Sequence, residues 1–265
     1  MCRPPSRSRF TCSRAREVRF PATNRTSCVR SPTARAAPRP TLGPIDANPP
    51  ITSTAITFST LDGAELGGDL FARADGDVAP TAGVVVAHPH PQYGGDRFHP
   101  VVDAIARRAA RSGFSALRFD FRSDFDDGRG ERLDVVAAAD RLRAELGDDA
   151  PIVLAGYSFG AAMALSATTG ESPVEAAALA LVAPPFAMFG DPPAPGHGGP
   201  TLTLAPERDQ FGPPDAVRSV VDGWPDGITS ATAVEVIDGA DHFLMGAAAD
   251  VGERVVDWIG TVISR

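Results

Sequence analysis

Residues 151–162 read PIVLAGYSFGAA. Pro151–Ala155 is a short, continuous apolar run, the pattern of a strand buried on both faces. Gly156-Tyr157-Ser158-Phe159-Gly160 follows, and Ser158–Thr169, rich in small residues, reads as a helix. This is G-x-S-x-G between a strand and a helix. A serine nucleophile needs that context. It must stand at the tip of a strained turn, with glycines two residues either side so that strand and helix backbones can approach. The helix N-terminus also offers the Phe159 amide to a developing negative charge. Gly and Ser are common enough here for the pentapeptide to arise by chance in about one such chain in ten. The flanking strand and helix give it its weight.

Working outward, the chain alternates strand and helix. Upstream, Ala55–Thr60 and Leu66–Ala72 read as a strand pair around Asp62-Gly63, and Gly83–Ala87 (GVVVA) as a buried strand. Apolar residues at 101, 102, 105, 106 and 109 give Pro100–Arg111 helical spacing. Ser115–Phe119 is an expected strand and Glu131–Leu146 a helix. Downstream come strands Ala176–Val182, Thr201–Leu204 and Ala233–Ile237, and helices Asp215–Val221 and Ala247–Ile263. The expectation is α/β: a mostly parallel eight-stranded sheet with helices on both faces. Ligands in such sheets sit outside the carboxyl ends of the strands. Functional residues should therefore fall just after strands.

A serine hydroxyl needs a base, and the base an orienting acid. Behind a G-x-S-x-G turn the order along the chain runs serine, acid, histidine. Of His88, His90, His99, His197 and His242, only the last two lie beyond Ser158. His197 sits in a Pro/Gly-rich run that would hold a base poorly, whereas His242 follows a strand across a short loop. His242 is the expected base. The acid should follow Thr201–Leu204, where Glu207, Asp209 and Asp215 are candidates. Asp215 reads as a first-turn helix carboxylate. Asp238 and Asp241 lie too near His242 for the usual order. Asp209, at the loop tip, is favoured, with Glu207 next.

A second amide for the oxyanion should come from the loop after Gly83–Ala87, His88-Pro89-His90-Pro91-Gln92-Tyr93-Gly94-Gly95. Prolines carry no N–H, so the His90 amide is the best candidate and Gln92 the next. The imidazoles of His88 and His90 read as holding this loop in shape. A metallo-hydrolase H-x-H-x-D-H would need Asp at 92 and His at 93, where the chain has Gln92 and Tyr93. No metal and no cofactor are expected.

The motifs HPHPQYGG (88–95), ALRFDFR (116–122), LAGYSFGAAMAL (154–165), LVAPP (181–185), PERDQFGPP (206–214) and GADHF (239–243) carry a family likeness. On them, residues 51–265 resemble the α/β-hydrolase superfamily, and within it compact bacterial hydrolases related to dienelactone hydrolases. The resemblance implies a Ser158–Asp209–His242 triad cleaving a small-molecule acyl substrate. It names a reaction class, with carboxylic esters as the default. An acyltransferase or peptidase using the same triad, or a silent fold kept for binding, are the alternatives. Two departures stand out. Dienelactone hydrolases carry cysteine where this chain has Ser158. Their relatives also continue ALRFDFR with a Gly-rich turn, R-G-x-G-x-S. Here Arg122-Ser123-Asp124-Phe125-Asp126-Asp127-Gly128 is acidic and bulkier, so it would disfavour anions if it lined the site; a solvated acidic loop is the plainer reading. Only about 18 residues separate Ala176–Val182 from Thr201–Leu204. That predicts an open site with minimal or no lid. Pro184, Pro185, Phe186, Met188 and Phe189 should lie along one rim, and Tyr93, Tyr157 and Phe186 should meet substrate.

Composition sets the remaining bounds. The net charge of −8 averages two unlike segments. Residues 1–40 hold ten arginines and one acid (Glu17), a net of +9, whereas residues 41–265 hold fifteen arginines and 32 acids, a net of −17. There is no lysine, and Cys2, Cys12 and Cys28 all lie in the basic segment. The acidic body suits no nucleic acid, has no thiol nucleophile, and holds no run near the roughly 20 apolar residues that span a membrane. Residues 1–50 carry nine prolines and no apolar period. They read as a disordered extension, dispensable or a misread gene start, with a functional tail or a targeting segment as the alternatives. The body, 51–265, reads as one domain, working in the cytoplasm.

Overall fold

β1 (Ile51–Ser59) and β2 (Glu65–Arg73) form the expected hairpin. β3 (Gly83–Ala87), β4 (Ser115–Phe119), β5 (Ile152–Tyr157), β6 (Ala178–Val182) and β7 (Thr201–Pro206) are buried along their whole length. β8 (Thr232–Ile237) closes the far edge. The computed structural model describes residues 49–75, 79–188 and 192–264. The expectations for residues 1–48 and for Phe189 lie outside these.

The strands make one sheet in the order β1-β2-β4-β3-β5-β6-β7-β8. β2 runs antiparallel to both neighbours, and every other pairing is parallel. The two edges differ from the centre as chemistry requires: β1 is polar and mostly exposed, while the inner strands are Val, Leu and Ala runs. Helices cover both faces. α1 (Pro100–Arg111) and α6 (Ala248–Ile263) bury one apolar stripe each against one side, through Val101, Ile105, Val255 and Ile259. α2 (Arg129–Leu146), α3 (Phe159–Ala167) and α4 (Pro214–Asp222) cover the other. Leu117 and Leu154 are wholly buried between sheet and helices, where truncation to Ala would cost about 2–5 kcal/mol.

The chain leaves β3 toward β4 through α1, and reaches β5 on the opposite side of β3 through α2. The connections therefore diverge at β3, and the carboxyl ends of β3 and β5 border a crevice. Boundaries moved slightly from expectation. α3 begins at Phe159, leaving Ser158 outside it, and β6 begins at Ala178. A 3₁₀ turn at Pro91–Tyr93 and a short α5 (Asp226–Ser230) were not foreseen. The described residues of the β6–β7 connection contain no helix. No described helix is long and apolar enough to cross a membrane.

Candidate active site

Ser158 follows the last residue of β5 with φ 55° and ψ −119°, a conformation that costs an ordinary residue of order 1–3 kcal/mol. Its neighbours hold it there. The Ser158 amide donates to the Val182 carbonyl at 2.8 Å. A Cβ on Gly156 would stand 2.2 Å from the Gly160 carbonyl, and one on Gly160 2.3 Å from that of Ala87. Both glycines are thus fixed by backbone approach, the reason the sequence pattern requires them.

The Ser158 hydroxyl lies 2.8 Å from His242 Nε2, and His242 Nδ1 lies 2.7 Å from Asp209 Oδ2. Asp209 is fully enclosed, and its other oxygen accepts from the amides of Phe211 (2.8 Å) and Gly212 (3.1 Å). The carboxylate next to Nδ1 selects the tautomer with the proton there, leaving Nε2 free to accept from serine. The Tyr157 hydroxyl donates to the His242 carbonyl at 2.7 Å, pinning the loop that carries the imidazole. Burial pushes the Tyr157 phenol well above its usual range, so it stays a donor.

At the end of β3, His88 Nδ1 bonds the Pro89 carbonyl at 2.5 Å and Nε2 accepts from the Phe121 amide at 3.0 Å. It ties the loop to the end of β4, and burial holds its pKa below the ordinary histidine value. His90 Nδ1 accepts from the Gln92 amide at 3.2 Å, which occupies that amide. The His90 ring is wedged among Tyr93, Phe125 and Phe159, with centroids 4.6–4.8 Å away. The backbone N–H groups of His90 and Phe159 have no intramolecular partner among the described residues.

Above Ser158 lies a cavity of about 510 Å³, walled by Tyr93, Tyr157, Met188, Phe211 and Phe243 with His90, His99 and His242. Among the described residues, neither a carboxylate nor an arginine lines it. Tyr93, Met188 and Phe243 are largely exposed at its mouth. Phe186 corrects the expected rim. It is buried with its ring edge-on to Trp224, 6.4 Å between centroids, because the sheet face beneath α4 offers it an apolar seat. Phe211 and Phe243 take the rim instead. Sequence reasoning missed both, although each is an aromatic within two residues of Asp209 or His242. Asp124, Asp126 and Asp127 are absent from this wall. Asp126 pairs with Arg129 at 3.3 Å, and Glu131 accepts from the amides of Asp126 and Gly128 at 2.9 Å each. Among the described residues, no group of three or more His, Cys, Asp or Glu could hold a metal ion.

No protein-family model matches the chain. An uncharacterized protein of Rickettsia prowazekii (strain Madrid E) is 26% identical over 210 residues, covering 74% of this chain and 84% of that one. Solved structures are similar throughout the body. An alpha-beta serine hydrolase homologue from Coxiella burnetii superposes with a TM-score of 0.66 at 25% identity, over 77% of this chain and 96% of its own. A lidless α/β serine hydrolase from Xanthomonas campestris gives 0.67 at 26% identity, over 82% and 97%. The chain belongs to the α/β-hydrolase superfamily.

Within that α/β-hydrolase frame the competing residues have other partners. Glu207 turns from His242 and accepts from the Gly239 amide at 2.6 Å. Asp215 is exposed and lies 3.5 Å from Arg218. Asp241 caps the Phe243 amide at 3.0 Å. His197 is buried in the β6–β7 connection, away from the cavity wall.

Proposed function

We propose that this chain is a serine hydrolase that cleaves carboxylic esters and related acyl bonds through an acyl-enzyme. The observation that carries the reading is the continuous hydrogen-bonded chain Ser158–His242–Asp209, at 2.8 and 2.7 Å. Ser158 Oγ attacks the substrate carbonyl carbon while its proton passes to His242 Nε2. Asp209 stays ionised, orients the imidazole and stabilises its cation. The tetrahedral oxyanion is held by the amides of Phe159 and His90; one such donor is worth about 10²–10³ in kcat. Collapse breaks the bond to the leaving oxygen, which takes the proton from Nε2 and departs as an alcohol. Water then attacks the acyl-enzyme, giving its proton to His242, and collapse returns a proton to Ser158 and releases the acid.

The wall decides what enters. The aromatic and Met surface, which holds no Asp, Glu or Arg among the described residues, favours neutral, apolar acyl groups, since stripping water from a carboxylate finds no compensation there. The described residues of the short β6–β7 connection place no helix over the cavity, so the acyl-enzyme is accessible to water, which favours hydrolysis over transfer. Hydrolysis of p-nitrophenyl acetate and butanoate by the purified chain tests the reading. Turnover that disappears in Ser158→Ala is expected; turnover that survives this substitution would contradict the assignment of the nucleophile.

A further inference from the structure

His99 stands at the N-cap of α1, and its Nδ1 accepts from the Val101 amide at 3.3 Å. A nitrogen that accepts carries no proton, so the neutral ring holds its hydrogen on Nε2. Burial depresses the pKa of His99, which keeps the ring neutral near pH 7. The side chain is half-buried in the cavity wall, and Nε2 has no hydrogen-bond partner among the described residues. The Tyr93 hydroxyl and His90 Nε2, also in this wall, likewise have no hydrogen-bond partner among the described residues. The Tyr157 hydroxyl is spent on the His242 carbonyl, and the His90 ring is wedged among three aromatics.

Position gives this donor a direction. The Tyr157 ring neighbours both His99 and His242, at 4.9 and 6.0 Å with tilts of 36° and 32°. His99 is therefore on the base side of Ser158, whereas His90 and Phe159, 4.6 Å apart, form the other side. The leaving oxygen collects its proton from His242, so the leaving group occupies the side where His99 stands.

We propose that His99 Nε2–H donates a hydrogen bond to an acceptor in the leaving group, so that the site selects esters of oxygen-bearing alcohols, such as ethers and polyols, over plain alkyl esters. The proposal rests on the serine-hydrolase reading. When a leaving group displaces solvent from this wall, a donor left without a partner is costly, so a substrate oxygen reaching it gains what a methylene forfeits.

Butyl butanoate and 2-methoxyethyl butanoate share an acyl group and a leaving-group length, and differ by one methylene replaced by an ether oxygen. Their kcat/KM ratio is measured in the wild-type chain, in His99→Ser, which retains a capping hydroxyl, and in His99→Phe, which retains a ring against Tyr157. The two variants share the loss of the N–H, and any general loss of activity cancels in the ratio. The ratio of methoxyethyl to butyl ester is expected to fall about fivefold in both variants, mainly through KM. Should only one variant fold, that variant carries the expectation by itself. An unchanged ratio would overturn the proposal and leave His99 a capping residue. Hydrolysis of neither ester by the wild-type chain would instead overturn the serine-hydrolase reading beneath it.

Discussion

Two acids, Glu207 and Asp209, stand two residues apart after β7, and only one faces the imidazole. Asp209 is enclosed, with its second oxygen held by two amides, while Glu207 braces the loop at Gly239. Asp209→Asn is expected to lower kcat by about 10³–10⁴-fold, through the wrong histidine tautomer. Glu207→Gln should change it less than about threefold, since it disturbs one loop contact. Comparable losses from both would place the acid wrongly. Gly160→Ala drives a methyl into the Ala87 carbonyl and should destabilise by more than about 3 kcal/mol, read as a lost or strongly lowered Tm. At this scale the sequence was informative because chemistry constrains it: nucleophile context, chain order and strand ends restrict the candidates to a few. Phe186 and Phe211 were illegible for the opposite reason. Both are phenylalanines in Pro/Gly loops, and tertiary packing alone decides which ring finds Trp224 and which faces the cavity.

Among the elements, the buried strands and the two amphipathic helices α1 and α6 were readable because their periodicity records burial directly. The short turns were not, since one or two hydrogen bonds decide them; the 3₁₀ turn at Pro91–Tyr93 depends on a single histidine cap. The acidic loop after β4 is clamped by Arg122. That guanidinium pairs with Asp134, whose side chain is wholly buried, and with the more exposed Asp62, at 2.7 Å each. Burial pushes the Asp134 carboxyl upward while Arg122 opposes it. Arg122→Ala leaves this carboxylate buried without its cation, held only by the residue 122 amide, and should cost about 3–5 kcal/mol in denaturant unfolding. Asp62→Asn removes the charge of the solvated arm while its amide oxygen can still accept from the Thr60 hydroxyl, and should cost under about 1 kcal/mol. Equal costs would show that the buried arm does not dominate.

For the whole molecule, the −17 of residues 41–265 and the +9 of residues 1–40 belong to different parts of the chain. If the chemistry rests on residues 51–265, removing residues 1–45 should leave turnover of short aryl esters within about twofold; a larger loss would give the basic segment a role in the site. Stability should also depend on pH in a definite sense. Burial lowers the pKa of His88, His90, His99 and His197 below the ordinary value of 6.5. The unfolded chain therefore binds protons before the folded one does. Stability is complete above about pH 7 and falls as pH drops through the unfolded value near 6.5. A Tm that decreases steadily from about pH 7 to about pH 5 is expected, whereas a Tm that rises over that interval would contradict the buried neutral histidines.

The central claim is that Ser158 is a nucleophile activated by His242. Treating the folded chain with a fluorophosphonate and mapping the adduct by mass spectrometry tests it most directly. A single adduct on Ser158 is expected in the wild-type chain, with labelling abolished in Ser158→Ala and slowed by at least about 10³-fold in His242→Ala. A folded wild-type chain whose Ser158 takes no label, or labels equally fast without His242, would contradict it.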